Sequence, residues 1–421
     1  MELIRTSLLT GTSTAIKLAA AFIVNKVVAV VAGPPGLALI GQVQNISSVL
    51  QGLSSSLFNT AAVKYSAEWK EQSVRLHDFL GLSYTLLLWV TLGVGSACLS
   101  LSHWLADVFL GDGALWWVFA LLGLAVPVFA LNNLVLSVLN GLGQVGKLTA
   151  YNIGQSLLGL TVAAGLPLAF GLRGALAATV LASSVVMILL LPELRRHPWL
   201  KRRRVSWTRD RDTMRRLSSY AVMAVATAVC APCAQLFARD WILSRCSLAE
   251  AGYWQGLMRF SGAYLAFFTA TLGVYYLPRF SALAAEGVVR ELKRGYALLL
   301  PSVALLFSAM WLMRSWLVPL LFSREFRPME GLLAYQLIGD FLKIGSWVMS
   351  YVMLAKGRTL LFVVSEVLFN VIYAVCVVLF VGNDGSGGAA GAVKAWILLY
   401  ALYWLFLGSV LRVVLRESGK S

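Results

Sequence analysis

Long apolar stretches recur along the whole chain, and they constrain its fold more than any other feature. Each stretch reaches the roughly 20 residues that a helix needs to cross the hydrocarbon core of a bilayer. Twelve candidates lie near residues 6–32, 36–63, 76–101, 114–140, 148–171, 174–194, 217–243, 250–278, 295–322, 329–355, 358–381 and 388–411. The sequence therefore predicts an all-α integral membrane protein with twelve transmembrane helices.

Composition excludes an ordinary soluble domain. Hydrophobic residues make up 59% of the 421 residues, and only 13% are charged. Soluble domains carry about 25% charged residues. The net charge of +16 raises the possibility of a nucleic-acid-binding protein. The basic residues have a simpler explanation in membrane topology, so no nucleic-acid partner is predicted.

The placement of Lys and Arg predicts the orientation. One alternating set of connections holds most of them, including the run KRRR at 201–204. The opposite set holds only Arg173, Arg245, Arg314, Arg324 and Arg327. Because cytoplasmic connections are enriched in Lys and Arg, both termini are predicted to lie in the cytoplasm.

The central basic stretch also predicts a division into two halves. KYSA at 64–67 resembles RFSA at 279–282, a weak sign of an internal repeat. We expect an N-terminal six-helix lobe at 1–197, a basic cytoplasmic linker at 198–216 and a C-terminal six-helix lobe at 217–421. Transporters built from repeats hold their substrate near the bilayer midplane at the repeat interface.

Motifs that suggest catalysis lack the structural context they need. GLGQVGKLT at 141–149 contains GxGxxG and nearly a P-loop, but a membrane helix precedes it and Leu148 follows the Lys. A nucleotide site requires a preceding strand, and a P-loop requires Ser or Thr at that position. CAPC at 230–233 lies within a predicted span. The sequence predicts no enzyme, no cofactor and no metal site.

Ionisable residues inside the predicted spans are the strongest functional signal. Each costs at least about 2.5–3.5 kcal/mol at a span centre, so it normally faces a partner or a wet cavity. The cations are Lys17, Lys26, Arg239, Arg259, Lys343 and Lys394, and the anions are Asp240, Asp340 and Glu366. The excess of cations predicts a positively charged cavity. Simpler explanations stay open for three of the cations. Lys26 and Lys394 lie close enough to span ends for their ammonium groups to reach the membrane–water interface, and Arg239 could pair with Asp240.

Amide side chains lie on the polar faces of several spans, among them Gln51, Asn152 and Gln255. One explanation is hydrogen bonding between helices. Combined with the cations, they favour an anionic, sugar-rich ligand, because Lys and Arg bind phosphate and amides bind hydroxyl groups.

The stretch LIGDFLKIGSW at 337–347 places two ionisable groups within one span. Asp340 and Lys343 are three residues apart and share a helix face. We expect them to hold each other charged without ligand and to re-pair when a phosphate binds, which makes them a candidate switch.

Several segments together resemble a known family. They are SLLTGTSTAIKLAAAFIVNKVVAVVAGPPGL, SLFNTAAVKYSAEW, EAGYWQGLMRFSGAYLAFFTATLGVYYLPRFS and LLAYQLIGDFLKIGSWVMSYVMLAK. They are similar to the Wzx-type flippases of the multidrug/oligosaccharidyl-lipid/polysaccharide exporter (MOP) superfamily, the branch that serves enterobacterial common antigen and O-antigen. The resemblance implies two six-helix lobes around a V-shaped, MATE-like cavity in the bacterial inner membrane.

The resemblance also implies a substrate and partners. The substrate would be an undecaprenyl-pyrophosphate-linked oligosaccharide, moved to the periplasmic leaflet by alternating access while its tail stays in membrane lipid. Further partners would be the polymerase and chain-length regulator of the same glycan pathway. Residues like those of the family stand at Lys17, Lys26, Lys64, Arg239, Asp340, Lys343, Lys356 and Glu366. Lys64 and Lys356 would mark the cytoplasmic entrance, and Asp340 and Glu366 the coupling switch.

Two positions depart from the family pattern. Gly262 stands where an acidic residue is expected, and Arg259 replaces a small polar one. This exchange makes the cavity more positive. The alternatives are a multidrug or organic-ion antiporter of the same fold, which the positive bias opposes, and a membrane glycan polymerase or ligase, for which the outer connections are short.

Overall fold

The structure, a computed structural model, describes residues 2–69, 73–190, 229–356, 359–382 and 387–418. The predicted linker at 198–216 lies outside the described residues. Within the described ranges the chain consists of helices and short connections, with no β-strand. This confirms the all-α class.

The helices are numbered here in chain order. They are α1 (Glu2–Glu68), α2 (Ser73–Ser100), α3 (Ser102–Leu110), α4 (Trp116–Gly141), α5 (Val145–Val185), α6 (229–245), α7 (Leu248–Ala282), α8 (Ala285–Leu312), α9 (Arg314–Leu321), α10 (Leu333–Ala355), α11 (Thr359–Val381) and α12 (Gly388–Ser418). Two 3₁₀ turns, Gly113–Leu115 and Arg324–Gly331, precede α4 and α10.

Eight helical stretches of the described chain are long and apolar enough to cross a membrane. Two of them, Ala19–Ser54 and Gly146–Leu190, are longer than one span needs. Each bends at a glycine, Gly33 in α1 and Gly171 in α5, close to predicted boundaries between consecutive spans. The membrane-spanning character is confirmed, and the number twelve stays a prediction.

The bend in α1 follows from its sequence. Gly33 has φ 62°, in the left-handed region that glycine adopts without the steric cost of a Cβ atom. Pro34 and Pro35 follow it, and they lack the N–H groups that would continue the helical hydrogen bonds. The chain therefore leaves helical geometry at Gly33 and resumes it at Pro34.

The chain forms two compact units. The first comprises Met1–Ala32 and Leu39–Cys233, and the second comprises Gly33–Ala38 and Ala234–Ser421. In the first unit, α1, α2 and α4 share an apolar core that contains Phe58, Leu80 and Leu134. Glycines allow close helix contacts there, because a Cβ atom at Gly95 would lie 2.5 Å from the carbonyl oxygen of Gly123.

In the second unit, α10 packs mainly against α12 and α7. Two glycines of α10 make room for tryptophans of α12. A Cβ atom at Gly339 would lie 2.6 Å from Cδ1 of Trp396. A Cβ atom at Gly345 would lie 2.6 Å from Cη2 of Trp404. These contacts align a polar segment of α10 with an aromatic face of α12.

Candidate substrate site

The carboxylate of Asp340 lies at the centre of a buried hydrogen-bond network. It accepts hydrogen bonds at Oδ2 from the hydroxyls of Ser261 at 2.6 Å and Tyr264 at 2.5 Å. Gln336 Nε2 also donates to Oδ2, and Trp396 Nε1 donates to Oδ1, both at 3.0 Å. Asp340 is fully buried. Hydrogen bonds from four neutral donors therefore compensate the loss of its hydration.

The network connects three helices through ordinary helical spacing. Ser261 and Tyr264 lie three residues apart on α7, so both face α10. Gln336 lies one turn before Asp340 on α10 itself. Trp396 comes from α12, next to the space that Gly339 leaves free.

Lys343 lies one turn further along α10, in a cage of aromatic rings. Its Nζ atom is 4.5 Å from the ring centroid of Trp396, and 5.1 Å from those of both Trp347 and Tyr400. Each distance is within the roughly 6 Å at which a cation is attracted to a ring face. Trp396 and Tyr400 are four residues apart, so α12 presents both rings on one face.

The direct pairing that the sequence suggested for Asp340 and Lys343 is not present in this structure. Among the described residues, no carboxylate lies within 4.0 Å of the Lys343 ammonium group, and no hydrogen bond to that group is formed. The reason lies in two residues of α12. The ring faces of Trp396 and Tyr400 attract the ammonium group, and the indole N–H of Trp396 donates to Asp340. Trp396 thus contacts both charged groups.

Glu366 of α11 is a second acidic group near Lys343. Lys343 interacts electrostatically with Glu366, as it does with Asp340, without an ion pair within 4.0 Å in the described part of the chain. Glu366 is half-buried, and its backbone carbonyl accepts a hydrogen bond from Asn370 Nδ2 at 2.8 Å. The Lys343 ammonium group and the Glu366 carboxylate therefore lie near each other without direct contact, in a mostly buried region.

Arg239 of α6 is fully buried next to the bend in α1. Its Nε atom donates to the carbonyl oxygen of Ala38 at 2.9 Å. Its two terminal nitrogens have no hydrogen-bond partner in the ranges that the structure covers. Arg239 and Asp240 form no ion pair within 4.0 Å; the Asp240 side chain is exposed, whereas the guanidinium group is buried. The guanidinium group therefore keeps unused donors inside the second unit.

Four other residues of this unit that the sequence analysis singled out differ in their surroundings. Gln255 is buried on α7, and Arg259 is half-buried one turn later. Gly262 follows at the next turn, and a Cβ atom there would meet nothing within 4 Å. Lys356 donates from Nζ to the carbonyl oxygen of Leu283 at 2.7 Å, where it satisfies an acceptor just past the end of α7.

The remaining predicted residues belong to the first unit. Lys26 and Gln51 are half-buried on α1, and Asn152 is half-buried on α5. Lys17 and Lys64 also lie on α1, but their side chains are outside the described part of the structure. Convergence of these residues with those of the second unit on one cavity stays a prediction. No group of three His, Cys, Asp or Glu side chains among the described residues is arranged to bind a metal.

Sequence reasoning missed the residues that surround the two charges of α10. They are Ser261, Tyr264, Gln336, Trp347, Trp396 and Tyr400. One signal was visible: Trp396, Tyr400 and Trp404 recur every four residues and form an aromatic stripe on one face of α12.

Comparison with solved structures defines the class of fold. An inward-facing multidrug resistance MATE family transporter of the MOP superfamily superposes with a TM-score of 0.71 at 15% identity, covering 96% of this chain and 95% of that one. The lipid II flippase MurJ in an inward closed conformation also gives 0.71 at 11% identity, covering 99% and 90%. The chain therefore has a MATE-like fold.

Comparison of sequences gives a more particular relationship. The lipid III flippase of Escherichia coli (strain K12) is 29% identical over 404 residues, which cover 95% of this chain and 96% of the relative. No protein-family model matches the chain. The similarity extends from end to end and confirms the resemblance to flippases that the sequence segments predicted. The relative is named as a transporter and not as an enzyme.

Proposed function

We propose that this protein is a flippase for a lipid-linked oligosaccharide. It moves an undecaprenyl-pyrophosphate-linked unit of the lipid III or O-antigen type from the cytoplasmic to the periplasmic leaflet of the bacterial inner membrane. Two six-helix lobes, 1–197 and 217–421, alternate access around the substrate, and both termini are cytoplasmic. The observation that carries the proposal is the similarity to a lipid III flippase over 95% of the chain.

The surroundings of Lys343 support an anionic headgroup as the ligand. A cation–π contact contributes about 0.5–2 kcal/mol, and a charge-assisted hydrogen bond to phosphate is stronger. Because the ring faces hold the ammonium group without a carboxylate partner, its charge is available to a diphosphate. In this proposal the ammonium group leaves the cage when the headgroup binds.

The other predicted residues have the following roles in the proposal. Positive charge and amide groups for the headgroup come from Lys17, Lys26, Arg239, Arg259, Lys343, Gln51, Gln255 and Asn152. Asp340 and Glu366 couple binding to the conformational change, and Lys64 and Lys356 mark the cytoplasmic entrance. The polymerase and chain-length regulator of the same pathway receive the translocated unit.

The alternative is an organic-ion antiporter of the same fold, which the superposition on a multidrug transporter favours. Cationic substrates are bound by carboxylates and ring faces. In this chain Asp340 already accepts four hydrogen bonds, and Lys343 occupies the ring faces next to it. This arrangement disfavours a cationic ligand at the site.

The test is transport in proteoliposomes that contain the full chain and a fluorescently labelled undecaprenyl-pyrophosphate saccharide. We expect the wild type to make the label accessible at the opposite leaflet and Lys343→Met to reduce the rate at least tenfold. Lys394→Met is the matched control, because Lys394 also contacts a ring, Tyr335 at 5.6 Å, but is exposed. Transport of a fluorescent organic cation without movement of the saccharide would favour the antiporter and reject the proposal.

A further inference from the structure

One face of α8 is exposed along the length of the helix, and its first part is basic. At spacings of four and seven residues this face carries Arg290, Arg294, Leu298, Leu305 and Leu312. All five side chains are exposed, and Leu298 and Leu305 are 75% and 74% exposed. Residues at these spacings lie on one side of a helix. Among the eight candidate spans of the described chain, the one in α8 is the least buried.

The sequence of α8 places its basic residues at the edge of the hydrocarbon core. The 18 residues at 295–312, GYALLLPSVALLFSAMWL, contain no charged side chain. At 1.5 Å per residue they extend about 27 Å, close to the roughly 30 Å thickness of the core. The cations directly before them are Arg290, Lys293 and Arg294, called the basic cluster here. The basic cluster therefore lies at the level of the lipid headgroups.

The basic cluster has no carboxylate partner in the described part of the chain. Its three side chains are exposed, and none forms an ion pair within 4.0 Å there, with Glu286 one turn earlier included. The acidic residue of the same turn, Glu291, is buried and already occupied. Its Oε1 atom lies 2.8 Å from Nε of Arg279 and accepts a hydrogen bond from the hydroxyl of Tyr275 at 3.0 Å. The three positive charges are therefore available to a ligand.

The opposite face of α8 packs inside the second unit. Val303 and Phe307 are buried there, and the hydroxyl of Tyr296 donates to the carbonyl oxygen of Gly345 on α10 at 2.7 Å. Because that face meets α10, the face with the basic cluster points away from α10 and its charged residues. The basic cluster and the leucines that follow it therefore face the bilayer.

We propose that the basic cluster binds the headgroup of an anionic phospholipid, phosphatidylglycerol, with an acyl chain along the exposed leucines of α8. Guanidinium groups donate paired hydrogen bonds to phosphate oxygens. Arg290 and Arg294 are one turn apart, so both side chains can reach one phosphodiester. Basic residues next to a membrane span attract anionic lipids. Phosphatidylethanolamine also carries an ammonium group, which the three cations repel. The site goes beyond the proposed flippase function and does not depend on it.

Native mass spectrometry of the purified full chain tests the site. The chain is titrated in detergent with an equimolar mixture of dioleoyl phosphatidylglycerol and dioleoyl phosphatidylethanolamine. We expect the wild type to retain phosphatidylglycerol at least fivefold over phosphatidylethanolamine. The double variant Arg290→Gln with Arg294→Gln should reduce this preference to less than twofold. Arg290→Lys with Arg294→Lys should keep it, because the charges remain.

Arg324→Gln with Arg327→Gln is the matched control. This variant also removes two exposed arginines of the second unit, three residues apart. Their turn contains Glu325 and Glu330 as well, so it has no net charge and is not expected to select anionic lipid. We expect the control to keep the preference of the wild type. All these substitutions are at exposed positions, so the thermal midpoints in lipid-free detergent should equal that of the wild type.

Three outcomes overturn the lipid site. One is equal retention of the two lipids by the wild type. Another is an equal loss of preference in the two Gln double variants, which would assign the preference to the overall charge of the chain. The third is displacement of phosphatidylglycerol by an equal concentration of glycerol 3-phosphate, which would identify a site for a soluble phosphate.

Discussion

The indole ring of Trp396 lies beneath the ammonium group of Lys343, with 4.5 Å from the ring centroid to Nζ. The same indole donates its N–H to Oδ1 of Asp340 at 3.0 Å. One side chain of α12 therefore serves both charged groups of α10. The ring face stabilises the cation, and the ring edge stabilises the anion. The two contacts are separable by substitution, which makes Trp396 the most informative residue of the site.

Trp396→Phe keeps a ring face near Lys343 and removes the N–H donor. We expect the free energy of unfolding to fall by about 1–3 kcal/mol, because a buried acceptor of Asp340 loses its hydrogen bond. Thermal unfolding of the purified chain in detergent measures the change. Trp89→Phe is the control, since Trp89 is 73% exposed. Equal midpoints for the two variants would show that the bond to Asp340 contributes little.

Gly345→Ala tests the close contact between α10 and α12. The added Cβ atom would come within 2.6 Å of the Trp404 ring, and such overpacking costs about 1–3 kcal/mol. Gly408→Ala on α12 should instead stabilise by about 0.5–1 kcal/mol, because it removes glycine from a helix and meets nothing within 4 Å. Opposite shifts of the thermal midpoint are expected. A stable Gly345→Ala variant would contradict the helix spacing described here.

Gly262→Glu tests whether Arg259 contributes positive charge to ligand binding. The position has free space, so the side chain fits without steric overlap. Residues three apart on a helix are neighbours, and the new carboxylate should pair with Arg259. We expect pyrophosphate affinity to fall roughly tenfold, the effect of about 1.4 kcal/mol. Gly262→Gln, which is isosteric and neutral, should bind like the wild type, and a similar loss in both variants would assign the effect to size.

The sequence analysis identified the all-α membrane class correctly. Apolar length predicted membrane helices, and eight candidate spans are present in the described chain. The boundary predicted between the spans at 6–32 and 36–63 coincides with the break at Gly33, because backbone preferences act within a few residues. Asp340 and Lys343 were recognisable as costly groups within an apolar span. All of these inferences use information that is local in the sequence.

The partners of those groups were not predictable in the same way. The donors to Asp340 come from residues 79, 76 and 56 positions away as well as from its own helix. The expected pairing of Asp340 with Lys343 relied on helical spacing alone, and it did not take into account the aromatic face of α12. Helical periodicity shows which side chains share a face, but it does not show which helix that face will meet.

Sequence alone determined that this chain enters a membrane as helices. It also determined where the longest helices bend and which side chains are too polar to face lipid. Hydropathy and backbone preference are properties of short segments, so they can be read without the tertiary structure. Only the tertiary structure decided that neutral donors hold the Asp340 carboxylate and ring faces hold the Lys343 ammonium group. The physical reason is that a buried charge is stabilised by whatever dipoles and rings the packing of distant helices brings to it.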